Sequence, residues 1–182
     1  MKKLSTAIFL QGLFIATLIS LTSCARWDPN AEQRETDEVK MTIEQFMQRD
    51  PGLNVFFDKA YGYAVFPSVG KGAYIVGGTY GTGTVYEKGN LIGFAKIVEA
   101  SVGLQVGGQA FSEIVFFKDE TALDYFKRGY LEFSAQASAV AVNQGVAAKT
   151  AYNEGIAVFV LPKGGLMADV SAGGQKFLFE PK

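Results

Sequence analysis

The chain has 182 residues, with 17 basic and 18 acidic side chains, one cysteine and no histidine. Its 48% hydrophobic and 19% charged residues suit a buried core, and a net charge of −1 gives no broad basic footprint for nucleic acid. Without histidine there are no Ser–His or Cys–His nucleophile pairs and no imidazole metal ligands, and one cysteine excludes an internal disulfide framework.

At the N-terminus, Lys2 and Lys3 precede a mostly apolar run from Ile8 to Leu21. A run of about 14 residues is too short for a membrane-crossing helix, which needs roughly 20, and matches the apolar region of a secretory signal. It ends Leu21-Thr22-Ser23-Cys24, which resembles the lipobox of bacterial lipoprotein signal peptides. That resemblance implies removal of residues 1–23, diacylation of the Cys24 thiol and acylation, with palmitate for example, of the new amino group. Several acyl chains hold a protein on a bilayer far better than one. Ala25 in place of aspartate implies, by the sorting rule of such lipoproteins, the outer membrane facing the periplasm if the cell is Gram-negative. The mature chain would keep 159 residues, with 15 basic and 18 acidic side chains.

Residues 25–35 are polar, contain Pro29 and have no apolar period, so with Cys24 they read as an acylated tether over 24–35, ahead of a domain over 36–182. Thr36 reads as a helix cap, followed by Asp37 and Glu38 in the first turn. Val39, Ile43, Phe46 and Met47 then form one apolar stripe, and Asp50-Pro51-Gly52 stops the helix. Leu53, Phe56, Phe57 and Ala60 share the face of a second, shorter helix. These stripes suit packing on a core better than a membrane surface, because Glu44 and Asp58 break up their basic faces.

From Tyr61 the pattern turns to β. Strands are expected over Tyr61–Val69, with Pro67 marking a strand end or edge, then over Gly72–Tyr80 and Gly83–Glu87. Lys88-Gly89-Asn90 reads as a turn before a strand at Leu91–Val98, and Val102–Ala110 and Glu113–Phe117 follow. Asp119-Glu120 opens a helix with Leu123, Phe126 and Tyr130 facing inward. Residues 131–151 are alanine-rich and fit strand or helix. Ile156–Leu161, Leu166–Ser171 and Lys176–Phe179 close the chain as short strands. The whole predicts a β-rich α+β fold: an antiparallel, glycine-rich curved sheet or barrel-like sandwich, with N-terminal amphipathic helices and one internal helix.

Between Gly62 and Gly108 there are 12 glycines in 47 residues, against a usual share of about 7%. No P-loop spacing is present, and Gly70-Lys71-Gly72 fails the dinucleotide fingerprint because position 75 is Ile. Sheet curvature around a small core is the expected role of these glycines. A groove where they let an acyl chain approach the backbone is the alternative.

Three segments carry a family resemblance: AYGYAVFPSVGKGAYIVGGTYGTGTVYEKG, SVGLQVGGQAFSEIVFFKDETALDYF and NEGIAVFVLPKGGLMADVSAGG. Together they resemble the SYLF lipid-binding domain family, from about Leu53 to the C-terminus. The resemblance implies a non-catalytic domain that binds membrane lipids, anionic phospholipids among them. Eukaryotic members bind phosphoinositide membranes and some act on actin; a periplasmic lipoprotein meets neither. Head-group contacts would then fall to bases at turns: Lys71 between two glycines, Lys127 and Arg128 before Gly129, and Lys163 in a Pro-Lys-Gly-Gly turn. Glu99 and Asp169 lie in apolar strands but form no acid pair, and no calcium-loop spacing occurs, so neither an enzyme nor a metal or other cofactor is expected. The alternative function is a tethered structural or protein-interaction module. A hydrophobic groove with bases at its mouth favours the lipid binder, and a flat apolar patch favours the module.

Overall fold

Helix α1 (Ala31–Arg49) begins ahead of Thr36, because Ala31-Glu32-Gln33-Arg34-Glu35 are strong helix formers. A single 3-10 turn (Pro51–Leu53) leads into α2 (Asn54–Lys59). Strands β1 (Gly62–Tyr74), β2 (Val76–Glu87), β3 (Asn90–Val102) and β4 (Gln109–Phe117) follow, then α3 (Glu120–Lys127), β5 (Val140–Ala141), β6 (Ile156–Pro162) and β7 (Lys176–Pro181). The computed structural model describes residues 31–74, 76–102, 109–129, 140–163 and 176–182. Cys24, Tyr130, Asp169 and the strand expected at Leu166–Ser171 lie outside the described residues. Arg34–Lys182 is one compact unit.

The seven strands form one sheet in the order β5-β6-β4-β1-β2-β3-β7. The fold is β-rich α+β, but two finer expectations are corrected. The sheet is mixed, since β5 runs parallel to β6, Val140 beside Phe159. The connecting residues 142–155 supply the dozen or so that a parallel return needs. The sheet is also open rather than a barrel, with β5 and β7 at its two ends.

Two strand boundaries differ as well. The expected strand Gly72–Tyr80 is split between β1 and β2, because Gly72 pairs with Gly78 and Tyr74 with Val76, so the chain folds back on itself there. The expected strand Val102–Ala110 is likewise split between the end of β3 and the start of β4, and 103–108 lie outside the described residues. Pro67 is not at an edge: β1 pairs with β2 on one side and β4 on the other. A bulge near Phe66-Pro67 shifts both registers, which accommodates a residue with no N–H, and Ser112 Oγ donates to the Pro67 carbonyl at 2.7 Å. The Lys88-Gly89 turn is as expected, with both φ positive (49° and 80°), the geometry that matches the twist of a two-residue hairpin.

The sheet is buried on two faces by different layers. On one, Val39 and Phe46 of α1, Leu53, Phe56 of α2, and Val142 and Ala147 pack against Val65, Ile114, Phe116, Ala157 and Phe159. On the other, Ala122, Leu123 and Phe126 of α3 pack with Phe66, Phe117, Val158 and Phe177. Leu123 and Phe126 face inward as expected, and Asp119 caps α3 by accepting from the Ala122 N–H at 3.0 Å.

Aromatic rings reach across this second face. Three strand spacings separate β7 from β1, about 14 Å in a flat sheet. Yet the Phe66 and Phe177 rings lie 5.7 Å apart, and Phe177 is 5.2 Å from Phe126. Glycine makes the room. A Cβ on Gly83 would sit 2.3 Å from the Val65 carbonyl and 2.5 Å from the Phe66 ring, and one on Gly93 would meet the Phe179 ring at 2.6 Å. The glycines of β2 and β3 leave space that phenylalanine rings from neighbouring strands fill.

Candidate functional site

The C-terminal end of α1 faces the β5–β6 end of the sheet. Asp50 leaves the helix in extended geometry (φ −142°, ψ 97°), and its carboxylate accepts from the Gly52 N–H at 3.0 Å and the Ala147 N–H at 2.7 Å. Only 2% of Asp50 is exposed. Burial alone would raise its pKa, but the Ala147, Gly52, Gly145 and Val146 backbone groups together outweigh it and hold the carboxyl below its ordinary value. Asp50 thus pins residues 145–147 to the end of the helix.

Arg49, one residue earlier, is exposed and reaches across to the same segment. Its Nη2 donates to Asn143 Oδ1 at 2.8 Å and its Nε to the Val142 carbonyl at 3.4 Å. Two recesses meet at this bridge. One, of about 600 Å³, has Ala141, Val142, Leu161 and Pro162 on the sheet side and Gln45, Gln48 and Arg49 on the helix side. The other, of about 610 Å³, is bordered by Gln48, Arg49, Pro51, Asn143 and Gln144. An apolar floor and a ring of amide groups therefore adjoin one guanidinium.

The bases proposed from their turns fall in two separate places. Lys71, in β1, stands in register with Gln109, and the Lys163 N–H donates to the Ala110 carbonyl at 2.8 Å. These two flank the start of β4 from either side. Lys163 is exposed and directly follows Pro162 of the first recess. Lys127 is elsewhere, ion-paired to Asp124 at 3.1 Å and to Glu87 at 3.6 Å, while Arg128 is exposed beside it at the end of α3. Tyr61 donates to Glu87 Oε1 at 2.9 Å, and Lys88 lies 4.6 Å from the centre of the Tyr61 ring. The Glu87 hydrogen bond, then burial and the negative field of Glu120, Glu87 and Asp124 push the Tyr61 hydroxyl up to about 12. This cluster ties β1, β2 and α3 together.

Glu99 lies in β3 opposite Thr79. The buried carboxyl that sequence reasoning missed is Glu113, fully enclosed in β4 between Ser112 and Ile114. Among the described residues, no group of three Cys, Asp or Glu side chains could hold a metal ion, and no helix is long and apolar enough to cross a membrane. Arg49 was also missed. Its only local signal was its place before the Asp50-Pro51-Gly52 stop, and its partners fall in the alanine-rich stretch with no readable period.

No family model matches the chain. A curated relative, Beta cell expansion factor A from Aeromonas veronii, is 28% identical over 134 residues, covering 73% of this chain. The chain spans about half the length of that relative, 51% of it.

Proposed function

We propose that this chain is a lipid-anchored protein of the cell envelope whose domain binds lipid without catalysis, as its resemblance to the SYLF family implies. Cys24 supplies the anchor, and the outer membrane facing the periplasm is its place in a Gram-negative cell. The observation that carries the lipid reading is the juxtaposition at Arg49: an apolar floor of Ala141, Val142, Leu161 and Pro162 beside a cation. Ligand sites of this kind pair a mostly apolar wall with a few placed polar groups, in volumes of about 300 to 1,000 Å³.

The test is co-sedimentation of residues 25–182 with phosphatidylcholine vesicles and with vesicles containing phosphatidylglycerol. Binding that is stronger on the anionic vesicles supports the proposal; no binding to either overturns it. Separately, Cys24→Ala is expected to release the protein from membranes in cells, and continued retention would count against the anchor.

One observation favours the second reading, a tethered interaction module. Tyr80, Val98 and Leu178 of β2, β3 and β7 are 58%, 41% and 43% exposed on neighbouring strands. A protein partner docking on this face would leave vesicle binding absent.

A further inference from the structure

Arg49 is set apart by its place, bordering both recesses while neutral acceptors hold its guanidinium. Among the described residues, Lys96 is paired with Glu180 and Lys127 with Glu87 and Asp124, whereas Arg49 bonds to the neutral Asn143 side chain and a backbone carbonyl. The adjacent carboxylate, Asp50, is turned to backbone amides instead. A guanidinium carries five N–H donors in a planar fork. Two are engaged, which fixes the group's orientation and leaves the remaining donors for an anion.

The guanidinium's charge is offset here. The last carbonyls of α1 carry the negative end of the helix dipole, and the buried Asp50 charge lies close by. A small free anion would gain little from a single guanidinium in that setting. An anion attached to an apolar chain gains more, because the first recess offers Ala141, Val142, Leu161 and Pro162 next to the same guanidinium.

We infer that Arg49 receives the acidic head of a single-chain anionic amphiphile, a phosphate monoester or carboxylate, whose apolar part lies over Val142 and Leu161. Gln48 and Asn143, which border both recesses, stand on either side of the head. At about 600 Å³ the recess suits one chain rather than a patch of bilayer. This inference rests on the lipid-binding reading and names its ligand class.

The experiment is calorimetric titration of the full lipidated chain, held in neutral phosphatidylcholine nanodiscs, with empty nanodiscs as the blank. The probes are a short-chain lysophosphatidic acid, the lysophosphatidylcholine of equal chain length, and inorganic phosphate. The lysophosphatidic acid is expected to bind at least tenfold more tightly than either of the others. Arg49→Gln is expected to weaken it at least tenfold. Gln45→Glu is expected to do the same by offering the guanidinium an internal carboxylate one turn away, a pairing that supports the helix and keeps the variant folded. Unchanged affinity in both variants overturns the assignment to Arg49. Phosphate binding as tightly as the lysophosphatidic acid overturns the amphiphile. A silent titration with vesicle sedimentation intact sinks this inference alone, while loss of both sinks the lipid-binding reading too.

Discussion

The two halves of the sheet bury their strands differently. In β4, every residue from Phe111 to Phe117 is buried, and in β6 every residue from Ile156 to Val160, because α1, α2 and the 142–152 segment cover one face and α3 lies on the other. In β3, Gly93, Ala95 and Ile97 are buried while Val98 is open and Phe94 and Lys96 are partly so. The sequences carry this contrast as an unbroken run, IAVFV, against alternation, GFAKIV. Coverage on both sides makes a strand sensitive to any lost volume, whereas one-sided coverage confines that sensitivity to alternate residues.

The largest expected effect tests the doubly covered half. Phe116 contacts the Phe56, Phe57 and Phe159 rings at 5.4, 4.8 and 5.8 Å. Phe116→Ala is expected to cost about 3 to 5 kcal/mol in denaturant unfolding, against about 0.5 kcal/mol or less for Leu178→Ala on the open face. Comparable losses at the two sites would break the comparison.

Next comes the close approach at glycine. Gly83→Ala is expected to cost about 1 to 3 kcal/mol, since the added methyl overlaps the Val65 carbonyl and the Phe66 ring. Gly70→Ala is the control: its nearest neighbour to a new Cβ is 4.0 Å away, so thermal melting should show no loss.

The Asp50 pin gives a pH signature. Its native pKa is lowered, so its stabilising contribution is complete above the unfolded aspartate value, about 3.9, and declines as pH falls through the native value. Wild-type stability should therefore drop with acid below about pH 4 more steeply than that of Asp50→Asn. At neutral pH the variant should be weaker by about 1 to 3 kcal/mol. Parallel acid curves for the two proteins would remove the pin.

The smallest effect belongs to the open half. Lys96 and Glu180 pair across β3 and β7 while 40% and 60% exposed. Glu180→Gln should leave the melting temperature unchanged within error, at low salt as at high.

Local patterns were legible and long-range ones were not. The α1 stripe, the Asp119 cap of α3 and the Lys88-Gly89 turn each depend on residues within a turn or two of one another, so periodicity and turn chemistry expose them. The parallel β5–β6 pair hides in an alanine-rich stretch where both periods fit equally well. The Arg49 site joins residues 93 and 94 positions apart, a spacing no periodicity encodes. Lys127 looked like a free turn base because nothing in its own segment announces Glu87.

The end strand β7 pairs only with β3 among the described residues. The end of α3 adjoins it: the Phe126 and Phe177 rings lie 5.2 Å apart, and a Cβ on Gly129 would stand 3.5 Å from the Phe177 carbonyl. The strand begins at Lys176 and ends at Pro181-Lys182, with Glu180 just before. Proline has no N–H to donate, and charged residues at the ends of a strand resist continuation of the ladder beyond them. Growth of the hydrogen-bonded ladder past the Pro181 end of this strand is thereby discouraged.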